Sequence, residues 1–325
     1  MKYPFNLLPT LPDVEFIYCP TLGAIGVPIN LLAIVILSRG NCGLSKCVTC
    51  YLVAMAAADL LVVITDVILR WSIIYFPVSF LDITPVCSLV TVLIFAATES
   101  SVWFTVAFTF DRFVAICCQK LKAKYCTLRT AAVVLGAVSV LSCLECAPVF
   151  FRFEARYVIN NLEWFCITKP EYYTSLAWAA FELIHRLLTP LLPFVLILLL
   201  NTLTVRYILV ASRARRRLRR DSDGEIPSDP EMDKRRKSII LLFAISGSFI
   251  VLWTTYVICF IYQRIAFISD FHAPSPTSGT VGYLLQLLSS CTNTCIYTVT
   301  QSKFREQLKK VVKYPFAVIL RSVKQ

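Results

Sequence analysis

Charged side chains are scarce in this sequence, and their scarcity excludes most classes of soluble protein. Only 16% of the 325 residues are Asp, Glu, Lys or Arg, while 57% are hydrophobic and the mean hydropathy is +0.70. A soluble domain has about 25% charged residues, so a chain of this size would not normally be so apolar. The composition therefore predicts a membrane protein.

Histidine is rarer still, and this bears on enzyme chemistry. His185 and His272 are the only two in the chain, and neither an HExxH zinc motif nor a GxSxG nucleophile motif occurs. Metalloprotease and Ser-His hydrolase chemistry need such motifs. We therefore expect a protein that is not an enzyme and has no organic cofactor.

Long apolar runs are what the sequence has in abundance. Each is long enough to cross about 30 Å of hydrocarbon as a helix. Because a helix satisfies its own backbone hydrogen bonds in lipid, the runs predict an all-α membrane protein. We number them span 1 to span 7, with predicted bounds 17–37, 47–69, 86–118, 130–151, 175–210, 239–262 and 280–300.

Basic residues are concentrated in alternate connections. They follow spans 1, 3 and 5 and recur in the C-terminal tail. By the positive-inside rule these connections face the cytoplasm and the N-terminus lies outside. The predicted organisation is an extracellular segment 1–16, a membrane domain 17–300 with a cytoplasmic loop 211–238, and a cytoplasmic tail 301–325. The net charge of +12 thus indicates topology rather than a nucleic-acid partner.

The segments outside the spans predict little folded structure. Residues 1–16 lack the apolar core of a cleavable signal peptide, so we expect span 1 to direct insertion. The linker 221–233 is rich in acidic residues, Pro and Ser and is not expected to fold alone. Its basic flanks predict contact with membrane lipids. Residues 302–314 alternate apolar and basic side chains, which predicts a short amphipathic helix at the lipid surface.

Most of the fourteen cysteines fall inside predicted spans, where a free thiol behaves as a small buried hydrophobe. Cys87 and Cys166 differ, because both are predicted to face the oxidising side of the membrane. We expect these two residues to form a disulfide.

Short motifs in several spans resemble, in order and spacing, those of the rhodopsin-like G-protein-coupled receptors. Asn30 and Asp59 stand at the family's positions in spans 1 and 2. The run from Asp111 to Phe113 resembles the DRY motif at the end of span 3. The runs from Phe249 to Trp253 and from Asn293 to Tyr297 resemble the span 6 switch and the NPxxY box. The resemblance covers nearly the whole chain and implies a seven-transmembrane helix bundle with a short amphipathic eighth helix, in the plasma membrane.

This resemblance implies a receptor for an extracellular small molecule or peptide that activates a heterotrimeric G protein. Arrestin and a receptor kinase are implied as further partners. The run from Ile116 to Lys122 is similar to the orphan receptors responsive to aromatic amino acids, which suggests such an amino acid or a short peptide as ligand. The residues implied for G-protein coupling are Asp111, Arg112, Asn293 and Tyr297. The alternative is a transporter or ion-pathway protein that uses the intramembrane charges, although no internal repeat is evident.

The sequence also departs from the family's pattern. Thr255 stands where a Pro usually follows the span 6 Trp, and Thr294 replaces the Pro of NPxxY, so we expect weaker kinks in spans 6 and 7. Arg235 occupies a position where many members have an acid that pairs with the DRY arginine. We therefore expect Asp111 to be the local partner of Arg112, with appreciable basal signalling.

Asp59 is a carboxylate inside an apolar helix, where a bare charge is costly. The resemblance implies a bound allosteric sodium ion, because hard oxygen ligands suit that cation. The residues implied around it are Asp59, Ser101, Ser289, Ser290 and Asn293. The alternative is a protonated or water-bridged aspartate with a structural role.

The ligand site is expected between the outer halves of spans 3, 5, 6 and 7. Ile94 occupies the position where amine receptors place an aspartate, so a monoamine ligand is not expected. Glu99 with His185 or Arg186 could bind both charges of a zwitterionic ligand. An aromatic or apolar group of the ligand would stack on Phe95, Trp253 and Tyr256.

Structural ion pairing is the alternative explanation for the charged groups in these outer halves. Asp66 with Arg70, and Glu182 with Arg186, have the spacing of neighbours on one helix face. Glu99 has no such neighbour on its own helix.

Overall fold

The computed structural model describes residues 11–40, 42–76, 78–220, 230–269 and 276–311. Within these ranges it describes the side chains of 14–40, 42–76, 78–213, 236–262 and 277–311. The architecture is a bundle of seven helical spans, which confirms the predicted all-α membrane fold.

Each predicted span is present as a helix or as a continuous series of helical segments. Span 1 is Leu11–Ser38, span 3 is Thr84–Cys117, span 6 is Pro230–Ser269 and span 7 is Pro276–Thr300. Span 2 is Lys46–Val62, a π-helical segment Val63–Leu69 and Arg70–Tyr75. Span 4 is Leu128–Cys146 followed by the 3₁₀ segment Ala147–Arg152. Span 5 is Leu176–Arg186, a π-helical segment Leu187–Leu191 and Leu192–Arg220.

The spans are generally longer than the apolar runs that predicted them. Span 1 begins at Leu11, inside the segment predicted to precede the membrane domain. Spans 5 and 6 extend to Arg220 and from Pro230, so both enter the predicted loop 211–238. The rest of that loop, 221–229, lies outside the described residues. Membrane crossing ends where apolar side chains end, but a helix continues as long as its backbone is paired.

Six of the described helices are long and apolar enough to cross a membrane by length and composition. Span 7 is richer in Ser and Thr and packs against spans 1, 2 and 6. Two of its hydroxyls are satisfied within the helix, since Thr298 and Thr300 donate to the carbonyls of Thr294 and Ile296 at 2.9 and 2.7 Å. Internal pairing of this kind removes much of the cost of placing hydroxyls among apolar helices.

Close helix packing in the bundle requires small residues at two positions. A Cβ on Gly282 of span 7 would lie 3.0 Å from the backbone of Tyr256 in span 6. A Cβ on Gly26 of span 1 would lie 2.7 Å from the Cys291 sulfur in span 7. Small residues at membrane helix interfaces allow backbones to approach, and here they bring span 7 close to both neighbours.

A two-stranded antiparallel hairpin was not predicted from the sequence. Strands β1 (Phe153–Ile159) and β2 (Leu162–Thr168) pair from Phe153 with Thr168 to Ile159 with Leu162. Asn160 and Asn161 form the turn with φ of 51° and 61°. Asparagine tolerates this left-handed region, and two such residues suit a tight hairpin.

The hairpin lies across one end of the bundle, which we call the hairpin end. The Cys87–Cys166 disulfide connects it to the start of span 3, which confirms the predicted pairing. A further backbone bridge joins Ile83 to Trp164. The short helix Phe80–Asp82 contacts strand β2, and the short helix Glu171–Thr174 follows the hairpin in the chain.

The opposite end, which we call the basic end, contains the helix Gln119–Tyr125 and an eighth helix over residues 302–311. Phe304 of the eighth helix is fully buried against Tyr297, with ring centroids 5.9 Å apart. Lys309 and Lys310 are exposed. The predicted amphipathic pattern is therefore present over 302–311.

Candidate ligand and signalling sites

A cavity of about 280 Å³ lies below the hairpin end. It is bounded by side chains of spans 2 to 7, and the three-dimensional arrangement brings most of the predicted ligand residues into its wall. The predicted residues that line it are Phe95, His185, Arg186, Trp253 and Tyr256.

Glu99 is the one predicted ligand residue that the structure places outside this wall. Its side chain is buried, and its carboxylate accepts a hydrogen bond from Cys146 Sγ of span 4 at 3.3 Å. It follows Phe95 by one helical turn but is directed at span 4. Helical periodicity correctly indicated a buried position, but it could not show which neighbouring span the side chain faces.

The cavity wall contains an ion pair between Asp66 and Arg70 that a tyrosine from span 7 extends. Arg70 Nη1 lies 3.2 Å from Asp66 Oδ1 and donates to Tyr283 Oη at 2.7 Å. Tyr283 Oη in turn donates to Asp66 Oδ1 at 2.8 Å. The intrahelical pair was one of the alternatives considered from sequence. Tyr283 was missed, because no sequence pattern connects it with span 2.

A second pair joins Glu182 and Arg186 of span 5. Arg186 Nη2 donates to Glu182 Oε1 at 2.6 Å, and both side chains are about one-third exposed, at 31% and 33%. Water can therefore reach both groups, and an exposed pair of this kind is held only weakly. A charged ligand could exchange with either partner.

Aromatic rings complete the lining. His185 packs between Phe95 and Phe181, with ring centroids 4.8 and 6.2 Å away. Trp253 contacts Tyr256 edge to face at 6.0 Å. These rings offer both stacking faces and positive edges to a planar ligand group.

Two residues of the cavity wall have hydroxyls without a hydrogen-bond partner. Among the described side chains, Thr98 Oγ1 and Thr189 Oγ1 are buried without a hydrogen-bond partner, and both residues line the wall. A buried hydroxyl without a partner is costly and uncommon. A polar ligand atom would satisfy it.

Tyr172 lies outside the membrane spans at the edge of the same cavity, with the Arg152 guanidinium 4.2 Å from its ring centroid. Burial raises the pKa of the Tyr172 phenol. The hydroxyl therefore remains a neutral hydrogen-bond donor at physiological pH.

Asp59 lies deeper in the bundle beside a second, much smaller cavity of about 20 Å³. Its two oxygens accept hydrogen bonds from Ser101 Oγ at 2.6 Å and Asn293 Nδ2 at 2.8 Å. A volume of this size holds one water-sized particle. Carboxylate and hydroxyl oxygens are hard ligands, so the residues present fit a single sodium ion.

The serines predicted around Asp59 divide into two groups. Ser101 and Ser289 line the small cavity with Asn293, and Ser290 does not. Instead, the backbone carbonyl of Ser290 accepts a hydrogen bond from Asn30 Nδ2 at 2.9 Å. Trp253 lines both cavities and donates from Nε1 to Ser289 Oγ at 3.2 Å, so it connects the two sites.

Arg112 is buried at the basic end, where its guanidinium is paired with Asp111. Arg112 Nε donates to Asp111 Oδ2 at 3.0 Å, and Nη2 contacts the same oxygen. Cys47 Sγ of span 2 donates to Asp111 Oδ1 at 3.3 Å. The expected local pairing is therefore present in the structure.

A hydroxyl of span 6 is the further partner of Arg112. Nη1 donates to Ser238 Oγ at 3.3 Å. The side chain of Arg235, predicted not to form an ionic lock, lies outside the described residues. Ser238 was missed because a neutral hydroxyl gives no charge signal in the sequence.

Asn293 and Tyr297, the other two residues implied for G-protein coupling, are buried in the helix interfaces, and further hydrogen bonds join these helices nearby. Tyr297 is fully buried, and no hydrogen bond joins its hydroxyl to a described residue. Asn201 Nδ2 of span 5 donates to Ser246 Oγ of span 6 at 2.9 Å. Thr294 Oγ1 donates to the Ile29 carbonyl of span 1 at 3.3 Å, so the Thr in place of Pro contributes an interhelical contact.

A seven-span bundle with a partly open cavity at one end and a buried Asp-Arg pair at the other defines an integral membrane protein of the seven-helix receptor class. Residues 29–297 match the family model described as 7 transmembrane receptor (rhodopsin family). The match covers most of the chain, so the chain belongs to the rhodopsin family of seven-transmembrane receptors. Proteins of this family are multi-pass membrane receptors rather than enzymes.

Proposed function

We propose that this receptor binds a small extracellular zwitterion, most simply an aromatic amino acid, and activates a heterotrimeric G protein through Arg112. The observation that carries the proposal is the composition of the 280 Å³ cavity wall, which combines acids, bases and aromatic rings. A zwitterion with a planar apolar group would contact all three kinds of side chain, since its ammonium group would pair with an acid, its carboxylate with a base and its apolar group with the rings.

Partly solvated charges supply the proposed ligand contacts. Arg186 is available to a ligand carboxylate, and its partner Glu182 to a ligand ammonium group. Charge-assisted hydrogen bonds of this kind are the strong polar contacts in a binding site. Asp66 and Arg70 provide a second pair of opposite sign. Glu99 lies behind the cavity wall and is therefore not proposed as a ligand contact.

The apolar part of the ligand would pack on the rings of Phe95, Trp253 and Tyr256, with His185 beside them. The volume supports an amino acid more than a peptide. Ligand pockets usually measure about 300–1,000 Å³, and this one is at the lower limit.

Trp253 provides the proposed connection to signalling. It borders the ligand cavity and donates to Ser289 beside Asp59, so a ligand that moves its ring also alters the centre of the bundle. We propose Asp59, Ser101, Ser289 and Asn293 as an allosteric sodium site. Ligand binding then favours a state in which span 6 separates from span 3 and frees Arg112. Asp111, Asn293 and Tyr297 are proposed to support this rearrangement from within the helix interfaces.

The hairpin end is proposed to be extracellular and the basic end cytoplasmic, in the plasma membrane. The Cys87–Cys166 disulfide suits an oxidising compartment, and the basic residues of the opposite end suit the positive-inside rule. Membrane lipids would contact the eighth helix. Arrestin and a receptor kinase are proposed as further cytoplasmic partners.

A panel of tryptophan analogues tests the ligand proposal. Cells expressing the receptor would be exposed to L-tryptophan, L-phenylalanine, N-acetyl-L-tryptophan and L-tryptophan amide, with G-protein activation read for several subtypes. We expect responses to the free amino acids and losses of tenfold or more in potency for the two blocked analogues, because each lacks one charge. Arg112→Ala at matched surface expression should abolish the response.

Two results would overturn this proposal. Equal potency of the blocked and free amino acids would show that charge pairing is not used. Uptake of radiolabelled tryptophan by receptor-expressing cells, with no G-protein response to any of the panel, would instead favour transport. Arg186→Gln should reduce potency, and Arg156→Gln on the hairpin, whose residue is not part of the cavity wall, is its matched control.

A further inference from the structure

A second cluster of side chains lies between spans 3, 4 and 5, away from Asp59, and shares only His185 with the wall of the ligand cavity. Glu99, Glu145, Cys146 and His185 each offer one donor atom, and these atoms all lie within 4.8 Å of one another. Glu99 and Cys146 are buried, and the side chains of His185 and Glu145 are only 13% and 17% exposed.

The donor types are those of a transition-metal site. Thiolate, imidazole and carboxylate together are the ligand set of zinc, whereas calcium, magnesium and sodium prefer oxygen ligands alone. We propose that Glu99, Glu145, Cys146 and His185 form a Zn²⁺ site that joins spans 3, 4 and 5.

Three of the six donor–donor distances are close to those of a tetrahedral site, and the others, which reach at most 4.8 Å, need to shorten by up to about 1 Å. Ligands about 2.0–2.3 Å from zinc are separated from one another by roughly 3.3–3.8 Å. Cys146 Sγ lies 3.3 Å from Glu99 Oε2 and 3.2 Å from Glu145 Oε2. His185 Nδ1 lies 3.1 Å from Glu145 Oε2. These three edges need to lengthen by only a few tenths of an ångström.

The charge of the cluster also calls for a cation. Two carboxylates and a thiol share one imidazole, and among the described residues no lysine or arginine forms an ion pair with either glutamate. Buried acids at this separation repel one another unless protons or a metal ion neutralise them. A divalent cation would do so and would replace the hydrogen bonds that Cys146 now donates.

The position of His185 gives a metal ion a route into the site. Its ring borders the 280 Å³ cavity, while its Nδ1 atom faces Glu145 behind the wall. Metal bound there would fix the ring that packs between Phe95 and Phe181. The inference goes beyond the proposed function, since the metal would be held without an amino acid ligand or a G protein.

Titration with Co²⁺ tests the site directly. The full receptor, purified in lipid nanodiscs with an affinity tag free of histidine, would be titrated with CoCl₂ and then with ZnCl₂. We expect one equivalent of Co²⁺ to give the visible bands of tetrahedral coordination and a thiolate charge-transfer band, and Zn²⁺ to remove both. Proton release should accompany binding, because the thiol must ionise.

Matched variants separate this site from adventitious binding. Cys146→Ser should eliminate the charge-transfer band, and Glu99→Gln should weaken Co²⁺ binding by tenfold or more. Cys143→Ser, which alters an exposed thiol of the same span, should bind as the unaltered receptor does. His272→Gln, which alters the other histidine of the chain, should also bind Co²⁺ as the unaltered receptor does. Monodisperse gel filtration would verify folding, and Glu99→Gln remains informative if Cys146→Ser does not fold.

The proposal would be overturned by absence of a charge-transfer band in the unaltered receptor, or by a band that persists in Cys146→Ser. Unchanged Co²⁺ affinity in Glu99→Gln would equally exclude the four-ligand site. Each of these results is independent of any amino acid response.

Discussion

Arg112 of span 3 donates a hydrogen bond to the hydroxyl of Ser238 in span 6, with 3.3 Å between Nη1 and Oγ. The same guanidinium is paired with Asp111 on its own helix, so its charge is compensated without help from span 6. This contact between two helices that we propose to separate on activation is therefore a hydrogen bond to a neutral hydroxyl rather than an ion pair.

This contact predicts that the inactive state is held loosely. Hydrogen bonds to charged groups contribute about 1.5–3 kcal/mol, and every 1.4 kcal/mol changes an equilibrium tenfold. Ser238→Ala should therefore raise ligand-free G-protein signalling by about tenfold or more where the basal level is low. Ser238→Glu should lower it, because a carboxylate would bind Arg112 more strongly. The measurement is G-protein activation at matched surface expression.

Ser139→Ala is a suitable control for that experiment, because Ser139 Oγ donates only within span 4, to the Leu135 carbonyl. Basal signalling that is the same in Ser238→Ala, Ser238→Glu and the unaltered receptor would show that Ser238 does not restrain span 6.

The Asp59 cavity predicts that sodium stabilises the receptor. Substitution of Ser101 should affect this stabilisation, and substitution of Ser290 should not. The thermal unfolding midpoint of the purified receptor should be higher in NaCl than in KCl at equal ionic strength, because carboxylate and hydroxyl oxygens around the 20 Å³ space would bind the smaller Na⁺ ion more strongly than K⁺. Asp59→Asn should remove the difference and Ser101→Ala should reduce it. Ser290→Ala should retain it, since Ser290 does not line that cavity. A sodium response that survives Asp59→Asn would refute the assignment.

The Tyr283 hydroxyl is predicted to stabilise the pair formed by Asp66 and Arg70. Tyr283→Phe removes a donor from Asp66, whose side chain is only 3% exposed. Loss of a partner from a buried polar group costs about 1–3 kcal/mol. The ligand-free receptor should therefore unfold at a lower temperature in nanodiscs. Tyr262→Phe, at an exposed position of span 6, should leave the midpoint unchanged, and equal midpoints for both variants would contradict the prediction.

The disulfide is predicted to be required for folding of the hairpin end. It closes a loop with a sequence separation of 79 residues. Removal of such a crosslink typically lowers the free energy of unfolding by about 2–5 kcal/mol. Cys87→Ser and Cys166→Ser should each reduce surface expression strongly, measured by flow cytometry. Cys143→Ser should not, because that thiol is free and exposed. Normal surface levels of both disulfide variants would argue against a structural role.

Membrane orientation can be tested without a ligand. An epitope at the N-terminus should be stained by antibody on intact cells, whereas one at the C-terminus should require permeabilisation. The expectation rests on the distribution of lysine and arginine, since the positive-inside rule favours a cytoplasmic position for the basic end. Staining of the C-terminal epitope on intact cells would reverse the proposed topology.

The class of fold and the order of the helices could be predicted from the amino-acid sequence alone. Apolar runs of sufficient length have few alternatives in lipid, since a helix pairs its own backbone. Motif spacing then located Asp59, Arg112, Trp253 and Asn293. Intrahelical pairs such as Asp66 with Arg70 could also be predicted from the sequence, because their contact depends only on local helical geometry.

Contacts between helices were decided only by the tertiary structure. Tyr283 with Asp66, Ser238 with Arg112 and the position of Glu99 opposite Cys146 depend on how each helix is rotated and on which span lies beside it. Helical periodicity indicates which face of a helix is buried. It does not indicate which neighbouring span covers that face, since every span presents an apolar surface. Neutral hydroxyls and thiols give no charge signal along the chain, so packing alone makes them partners.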